Sequence, residues 1–397
     1  MLRLLHTADV HLGARHADLG DAATAQRERQ FAAFKASVDV AIEEKVDLFV
    51  VAGDLFDSNT QPRRSVERVA AELARLANAK IRTMIVPGTH DCYDRASIYR
   101  AYDLKAMAGS TPDDDLVTVV TPDRPTVRLA TLDATVHAAV FPSKRAPYSP
   151  LRDVRVTAAA AGHPESSTTW HVGVVHGALA IPDRTEHDEV VVTKEEIAAS
   201  GLDYLALGHW HSTQKGKAGT TTYAYAGAPE PVAVDQDGAG KVLLVTLEES
   251  AGKHAVKVDE RTVGRTRFER IDVDASRLNG QPDLVEKLAA KADPDLVLEA
   301  RLTGVRPDEL DVDIAEVESR LKGSFLRLRV RDQSMPALSD GALPSADTIS
   351  GAFIRNVEGR IAELEADPSD ATTLEAAELR DALRLGRLLL AGHEVSL

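Results

Sequence analysis

The sequence predicts an α/β protein with a second, partly antiparallel sheet, on three observations. Apolar runs at residues 2–5, 48–52, 81–86, 172–175 and 204–207 lead into Gly, Asp or His, as buried strands do. Segments with helical periodicity separate the first three runs. Past about residue 115 the pattern changes to short strands at 116–120, 126–130 and 135–141, with turn residues between them.

Taken in order, residues 24–45 place Phe31, Phe34, Val38, Ala41 and Ile42 at helical spacing after Asp21, a good capping residue. A second helix covers 66–77, opened by Pro62 and Ser65. Strand, helix, strand, helix, strand implies βαβ units with parallel neighbours. Residues 1–265 are therefore expected to form one domain of two packed sheets. Residues 142–167, rich in Pro, Ala and Ser, read as loop plus a short helix. Residues 266–335 alternate strand 268–273, helix 282–290, strand 295–303, helix 307–321 and strand 325–330, a compact α+β cap. Residues 336–347 read as a linker opening a final segment, 336–397. Its helices carry Phe353, Val357, Ile361 and Leu364 on one face and Leu379, Leu383 and Leu390 on another, with Pro368 between them. This pair either packs on the parent domain or binds a partner.

Composition narrows the class. Hydrophobic content of 44% and charged content of 27% suit a globular domain. No apolar run approaches the roughly 18 residues of a membrane span. The start, MLRLLHTADVH, lacks the pattern of a signal peptide. A cytoplasmic protein with no membrane partner is expected. The single cysteine, Cys92, excludes an intramolecular disulfide and a thiolate metal cage. It lies beside His90 and Asp91 but reads as a bystander. The net charge of −15 argues against tight unaided binding to nucleic acid. It leaves room for a local basic surface, or for a partner that supplies the grip.

The residues that carry chemistry sit where the strands end: Asp9 and His11, Asp54, Thr89-His90-Asp91, His176, and His209 with His211. Such loops converge at the carboxyl edge of an α/β sheet. Carboxylates and imidazoles are ligands of hydrolytic divalent metals. Asp9 and His11 alternate on an extended segment, so both can turn to one ion. Asp54 has two oxygens with which to bridge two ions. His176, His209 and His211 supply neutral nitrogens. Two ions about 3.5–4 Å apart would clamp a phosphate and activate water. His90 is the natural general acid beside them, with Asp91 to orient it. Each fragment alone is weak; the ordered set points to metal. Arg15, His16, Arg63 and Arg64, and with them Arg95 and Arg184, fall near this edge and could contact phosphates or be plain solvated charge. Asp57 reads as a hydrogen-bonding support of the metal loops. Tyr223, Tyr225 and Trp210 read as packing.

DVH at 9–11, GDLFD at 53–57, GTHD at 88–91, VHG at 175–177 and GHWH at 208–211 resemble the five motifs of the calcineurin-like metallophosphoesterases. HTADVHLG at 6–13, VDLFVVAGDLFD at 46–57, LDYLALGHWH at 202–211 and YAYAGAPEP at 223–231 are similar to the SbcD and Mre-eleven branch. The layout of the cap and helical end is similar to the shorter YhaO-type relatives. The resemblance implies a four-layer α/β/β/α sandwich with a small α+β cap and a helical C-terminus. It implies a manganese-dependent DNA exonuclease and endonuclease, acting in double-strand-break repair with an SbcC-type ATPase. It implies one metal site of Asp9, His11, Asp54 and His211, a second of Asp54, position 89, His176 and His209, and His90 as the acid. The family's Asn at position 89 is Thr89 here, a shorter and poorer donor. The departure implies a weakened second site, an altered metal preference or reduced activity. A homodimer through helices within 62–110 is implied as well. The alternatives are a small-molecule phosphodiesterase and a weakly catalytic regulatory subunit of an ATPase complex.

Overall fold

The computed structural model describes residues 1–397 except 112–113, 147, 157–167, 183–184, 186–189, 234–235, 237, 251–252, 308–309, 337–343, 367–369 and 391–397. The chain divides into two compact units, Met1–Phe268 and Glu269–Leu397.

In the first unit β1 (Leu2–Thr7), α1 (Ala23–Glu43), β2 (Leu48–Ala52), α2 (Arg63–Asn78) and β3 (Arg82–Val86) follow in turn. Two single-turn helices, α3 (Ile98–Ala101) and α4 (Leu104–Met107), precede β4 (Val117–Val119). The second sheet is built from β5 (Thr126–Leu129), β6 (Ala134–Ala138) and β7 (Trp170–His176). The short pair β8 (Ala178–Leu179) and β9 (Val191–Val192), α5 (Lys194–Ser200), β10 (Tyr204–Gly208), β11 (Gln214–Ala218) and β12 (Thr221–Tyr225) come next. The chain then returns to the first sheet as the hairpin β13 (Lys241–Ser250) and β14 (Lys253–Thr262). The sheet orders are β14-β13-β1-β2-β3-β4 and β11-β12-β10-β7-β6-β5. Strands β1 to β4 run parallel, as the βαβ reading requires, and β13 closes antiparallel on β1.

Side-chain parity along the strands divides the interior into layers. Leu48, Val50 and Ala52 of β2 join Val172, Val174, Tyr204 and Ala206 in a core between the two sheets. The alternate residues Phe49 and Val51 face Phe34 and Val38 of α1 and Val66, Val69 and Leu73 of α2. On the far side Leu205, Leu207 and Val175 pack against Ile197 of α5. The result is helix, sheet, sheet, helix: the four-layer α/β/β/α arrangement. Strands covered on both faces are continuously apolar, so the runs at 48–52 and 204–207 stand out without alternation. Helix α5 is held at its start by a capping box between Thr193 and Glu196.

Several local readings shift. Asp21 does not cap α1; it lies in a 3-10 turn, Ala17–Ala22, and Ala22 occupies the cap position without a side-chain bond. The strand expected at 135–141 ends at Ala138. The helix expected over 307–321 is α7, Ile314–Arg320, because the Asp313 carboxylate accepts from Glu316 N and sets the start there.

In the second unit β15 (Arg267–Asp274), α6 (Gln281–Ala289), β16 (Asp293–Thr303), the short β17 (Val305–Arg306), α7 and β18 (Phe325–Asp332) form a small α+β body with sheet order β15-β16-β18. Its core joins Leu284 and Leu288 of α6 to Leu298, Ala300 and Leu302 of β16. A two-residue strand, β19 (Met335–Pro336), precedes α8 (Ile349–Ala366) and α9 (Asp370–Leu390). These helices pack as a pair: a Cβ at Gly386 would lie 2.3 Å from the Phe353 ring, and Arg360 bonds Glu375 at 3.2 Å. Pro368 and most of the expected linker lie outside the described residues. Among the described residues no helix is long and apolar enough to cross a membrane.

Candidate metal centre

Sheet register brings the chemistry-bearing strand ends to one edge. Thr7 pairs with Val51, Ala52 with Val86, and Gly208 with His176. Asp9, Asp54 and Gly88 each lie two residues beyond one of these pairs. The loops stay in step through Asp9 N→Gly53 O at 3.1 Å and His11 N→Asp54 O at 3.0 Å.

The backbone is bent to aim the side chains. Asp9, His11, Asp54 and His209 have φ of 52°, 48°, 53° and 106°, a region that costs a non-glycine residue on the order of 1–3 kcal/mol. Four such residues in one cluster mark a place where chemistry, not local propensity, has fixed the residue type. The glycines beside them are needed for close approach. A Cβ at Gly208 would lie 1.9 Å from the Ala52 carbonyl oxygen, and one at Gly53 would lie 2.2 Å from His176 Nδ1.

Ligand-type atoms of Asp9, His11 and His211 lie within 4.8 Å of one another, and so do those of Asp9, Asp54 and His176. Asp9 belongs to both sets, and Asp54 of the second set also reaches toward His11 of the first. Asp54 Oδ1 accepts from His90 N at 2.8 Å, while Oδ2 lies 3.2 Å from His176 Nε2 and 3.7 Å from His11 Nε2. One oxygen, rather than both, faces the two rings. Both oxygens of Asp9 accept from His209 N, at 2.9 and 3.1 Å. The His209 ring stands edge-on to His176 at 5.5 Å. His11 and His211 bring their Nε2 atoms within 3.1 Å. Thr89 is buried between Gly88 and His90, whose amides are bonded to Asp91 and Asp54.

The outer contacts fix the rings. His176 Nδ1 donates to Ala52 O at 3.0 Å, which leaves Nε2 as the nitrogen that can give up its proton to a cation. That Nε2 is buried and makes no hydrogen bond, although Asp54 is in contact with it. Asp57 Oδ1 lies 3.3 Å from His11 Nδ1, and the Gln236 side-chain amide lies 2.6 Å from His211 Nδ1. A buried unpaired imidazole nitrogen aimed at carboxylates, within a mixed set of carboxylates and imidazoles, fits a divalent cation.

Two expectations are corrected. Asp91 does not orient His90. Its carboxylate is buried and accepts from Gly88 N at 2.7 Å, Phe56 N at 3.1 Å and the Tyr99 hydroxyl at 2.5 Å, so it ties its own loop to the Phe56 loop and to α3. His90 instead donates from Nδ1 to the Asp57 carbonyl at 3.0 Å, and its ring lies edge-on to His11 at 4.7 Å. His16 is not a surface contact: it is buried, with Nε2 bonded to Gln30 Oε1 at 2.7 Å. Arg15, Arg63, Arg64 and Arg95 are exposed, and Arg63 is paired with Glu67 at 2.8 Å. Arg184 lies outside the described residues. Trp210 stacks on Tyr225 with centroids 4.7 Å apart. Cys92 is buried, and burial raises its thiol pKa, which disfavours the nucleophilic thiolate. Sequence reasoning missed Gln236 and Tyr99, whose partners are remote in the chain or offer no motif.

The electrostatics describe a site short of positive charge. Burial raises Asp9 to about 6. Burial would lower His176, but Asp54 and Asp9 raise it to about 10. Burial and the neighbouring His11 lower His211 to about 3. Asp54, though buried, is held below the usual carboxylate range by His176 and His11. A cation must therefore displace the His176 proton, and each pH unit below about 10 costs up to tenfold in affinity. Calorimetric titration with manganese near pH 7, in buffers of different ionisation enthalpy, is expected to show net release of about one proton or more. Affinity independent of pH between 6 and 8 would contradict this charge balance.

The motif-bearing part of the chain matches the calcineurin-like phosphoesterase model over residues 2–213, and the chain belongs to that family. It is a hydrolase of the metallophosphoesterase type, and every candidate ligand falls within the matched region. Among curated proteins it is similar to the DNA double-strand break repair protein Mre11 of Aeropyrum pernix, with 28% identity over 275 residues, 69% of this chain and 64% of that protein. It thus spans less than two thirds of the Aeropyrum protein's length. It is similar to the Mre11 protein of Halobacterium salinarum at 25% identity, covering 92% of this chain and 87% of that one. It is also similar to the uncharacterized metallophosphoesterase YhaO of Bacillus subtilis at 23% identity, covering 90% and 87%. Within that family its similarity lies toward the Mre11 and YhaO proteins.

Proposed function

We propose that this chain is a DNA nuclease that cuts phosphodiester bonds as an exonuclease and endonuclease, with two manganese ions, in double-strand-break repair alongside an SbcC-type ATPase. The observation that carries the reading is the placing of His90. Its side chain is 44% exposed, yet it stands directly against the buried cluster. An acid at the open mouth of a metal site can serve a leaving group at the end or in the middle of a polymer. The relatives named as break-repair proteins support DNA as that polymer.

Asp9, His11, Asp54 and His211 would hold one cation, and Asp54, Thr89, His176 and His209 the other. The bound ions would supply charge neutralisation and water activation. Asp54 Oδ2 lies near one ring of each set, His176 and His11, and would be shared by both cations. Asp57 fixes His11 through its carboxylate and His90 through its carbonyl, holding ligand and acid in one frame. With Nδ1–H engaged, His90 offers Nε2 to the departing oxygen and transfers its proton there. A cytoplasmic, homodimeric protein fits this role.

Thr89 favours a second reading, a regulatory subunit of an ATPase complex with slow turnover. Thr89→Asn separates the two. In a manganese-dependent assay on linear, hairpin and single-stranded DNA, a wild-type nuclease is expected, with Thr89→Asn binding the second ion about tenfold or more tighter. Absence of turnover in the wild type with strong turnover in Thr89→Asn would instead select the regulatory reading.

A further inference from the structure

Beside the metal loops, α1 and α2 enclose a cavity of about 350 Å³ lined by Arg27, Arg64, Arg68, Glu28, Gln61 and Phe31 among others. Three guanidiniums against one carboxylate give the lining a net charge of +2, in a chain whose formal charge is −15. Two of the guanidiniums are already committed. Arg68 clasps Glu28 with bonds of 2.9 and 2.7 Å and lies 3.7 Å over the Phe31 ring. Arg27 donates to Arg15 O at 3.1 Å and Thr24 Oγ1 at 2.8 Å. Arg64 is exposed at the rim and has no acceptor among the described residues.

The cavity is joined to the metal centre by covalent chain. Leu12 and Gly13 line it, and Leu12 directly follows His11. The Gln61 side chain rests on Gly13, where a Cβ would lie 1.9 Å from Oε1. Two chain steps of about 3.8 Å separate the Gly13 Cα from that of His11. The pocket lining thus begins one residue after a candidate metal ligand. A guanidinium suits the phosphate oxygens in both geometry and charge. Glu28 does not oppose it, because Arg68 neutralises that carboxylate through two bonds.

We propose that the pocket seats a non-scissile phosphodiester of the strand being cut, bonded by Arg64, and so sets which bond meets His90. The proposal rests on the nuclease reading above. Its test is a set of oligonucleotides in which single phosphates are replaced, one at a time, by neutral methylphosphonates. The full-length protein with manganese is used as wild type and as Arg64→Ala, an exposed change that leaves the core intact. In the wild type, neutralising one phosphate within two nucleotides of the cut is expected to weaken binding about tenfold. In Arg64→Ala the same replacement is expected to have no further effect, and the slope of log affinity against log salt to fall by about one contact. A positional pattern identical in the two proteins overturns the pocket and leaves the nuclease reading intact. A wild type that neither binds nor cuts any oligonucleotide overturns both. Thymidine monophosphate or inorganic phosphate supplies a further arm. If either raises the Tm of the wild type and not of Arg64→Ala, with no positional pattern on DNA, the pocket holds a free phosphate and the proposal fails.

Discussion

Asp54→Asn is expected to lower kcat roughly a thousandfold or more, since the carboxylate proposed to bridge the two ions would be lost, and with it several kcal/mol of transition-state stabilisation at 1.36 kcal/mol per decade. The reason lies in the position of Oδ2, 3.2 Å from His176 Nε2 and 3.7 Å from His11 Nε2, one ring from each proposed ligand set. An amide there keeps the shape and the bond from His90 N but loses the charge. Asn also tolerates the left-handed backbone, so the fold should persist. A second readout does not involve activity. Asp54 is the main group that raises His176, so in the metal-free variant that ring should titrate well below about 10. Manganese stoichiometry by elemental analysis and the His176 titration by NMR check the two parts. A variant that keeps both ions and near wild-type kcat would show that Asp54 does not bridge them.

His90→Ala should reduce kcat on DNA by about 10²–10⁴-fold, the usual weight of a general acid. The ring is exposed and groups with His11 and Asp57, apart from the Asp9, Asp54 and His176 set, so cation binding at that set should survive. The diagnostic is the leaving group. A nitrophenyl phosphodiester expels a stable phenolate that needs little protonation, and the variant should lose less than about tenfold on it. Equal losses on DNA and on the nitrophenyl ester would assign His90 to phosphate binding instead of proton transfer.

Much of this centre is readable along the chain because sheet geometry does the assembling. Asp9, Asp54 and Gly88 stand just past the ends of neighbouring parallel strands, and His176 and Gly208 are register partners in the facing sheet. Strands buried on both faces announce themselves as unbroken apolar runs, so the residues after them can be located. What the pattern could not show depends on contacts between distant segments. Asp91 is adjacent to His90 in sequence, yet it serves Tyr99, Phe56 and Gly88, because the loop turns it inward. His16 looked like a surface group until Gln30, one helix later, took up its ring. Gln236 follows His211 by 25 residues with no motif around it, yet it fixes that ring. The left-handed backbone at Asp9, His11 and Asp54 was equally hidden, since that conformation usually calls for glycine.

The most direct measurement is an anomalous-scattering map of crystals grown in manganese and collected at the manganese edge. The expected result is two peaks with Asp54 between them, one among Asp9, His11 and His211 and one beside His176 and His209. A well-ordered map with these side chains in place and no peak against Asp54, from protein shown to carry manganese in solution, would contradict the centre described.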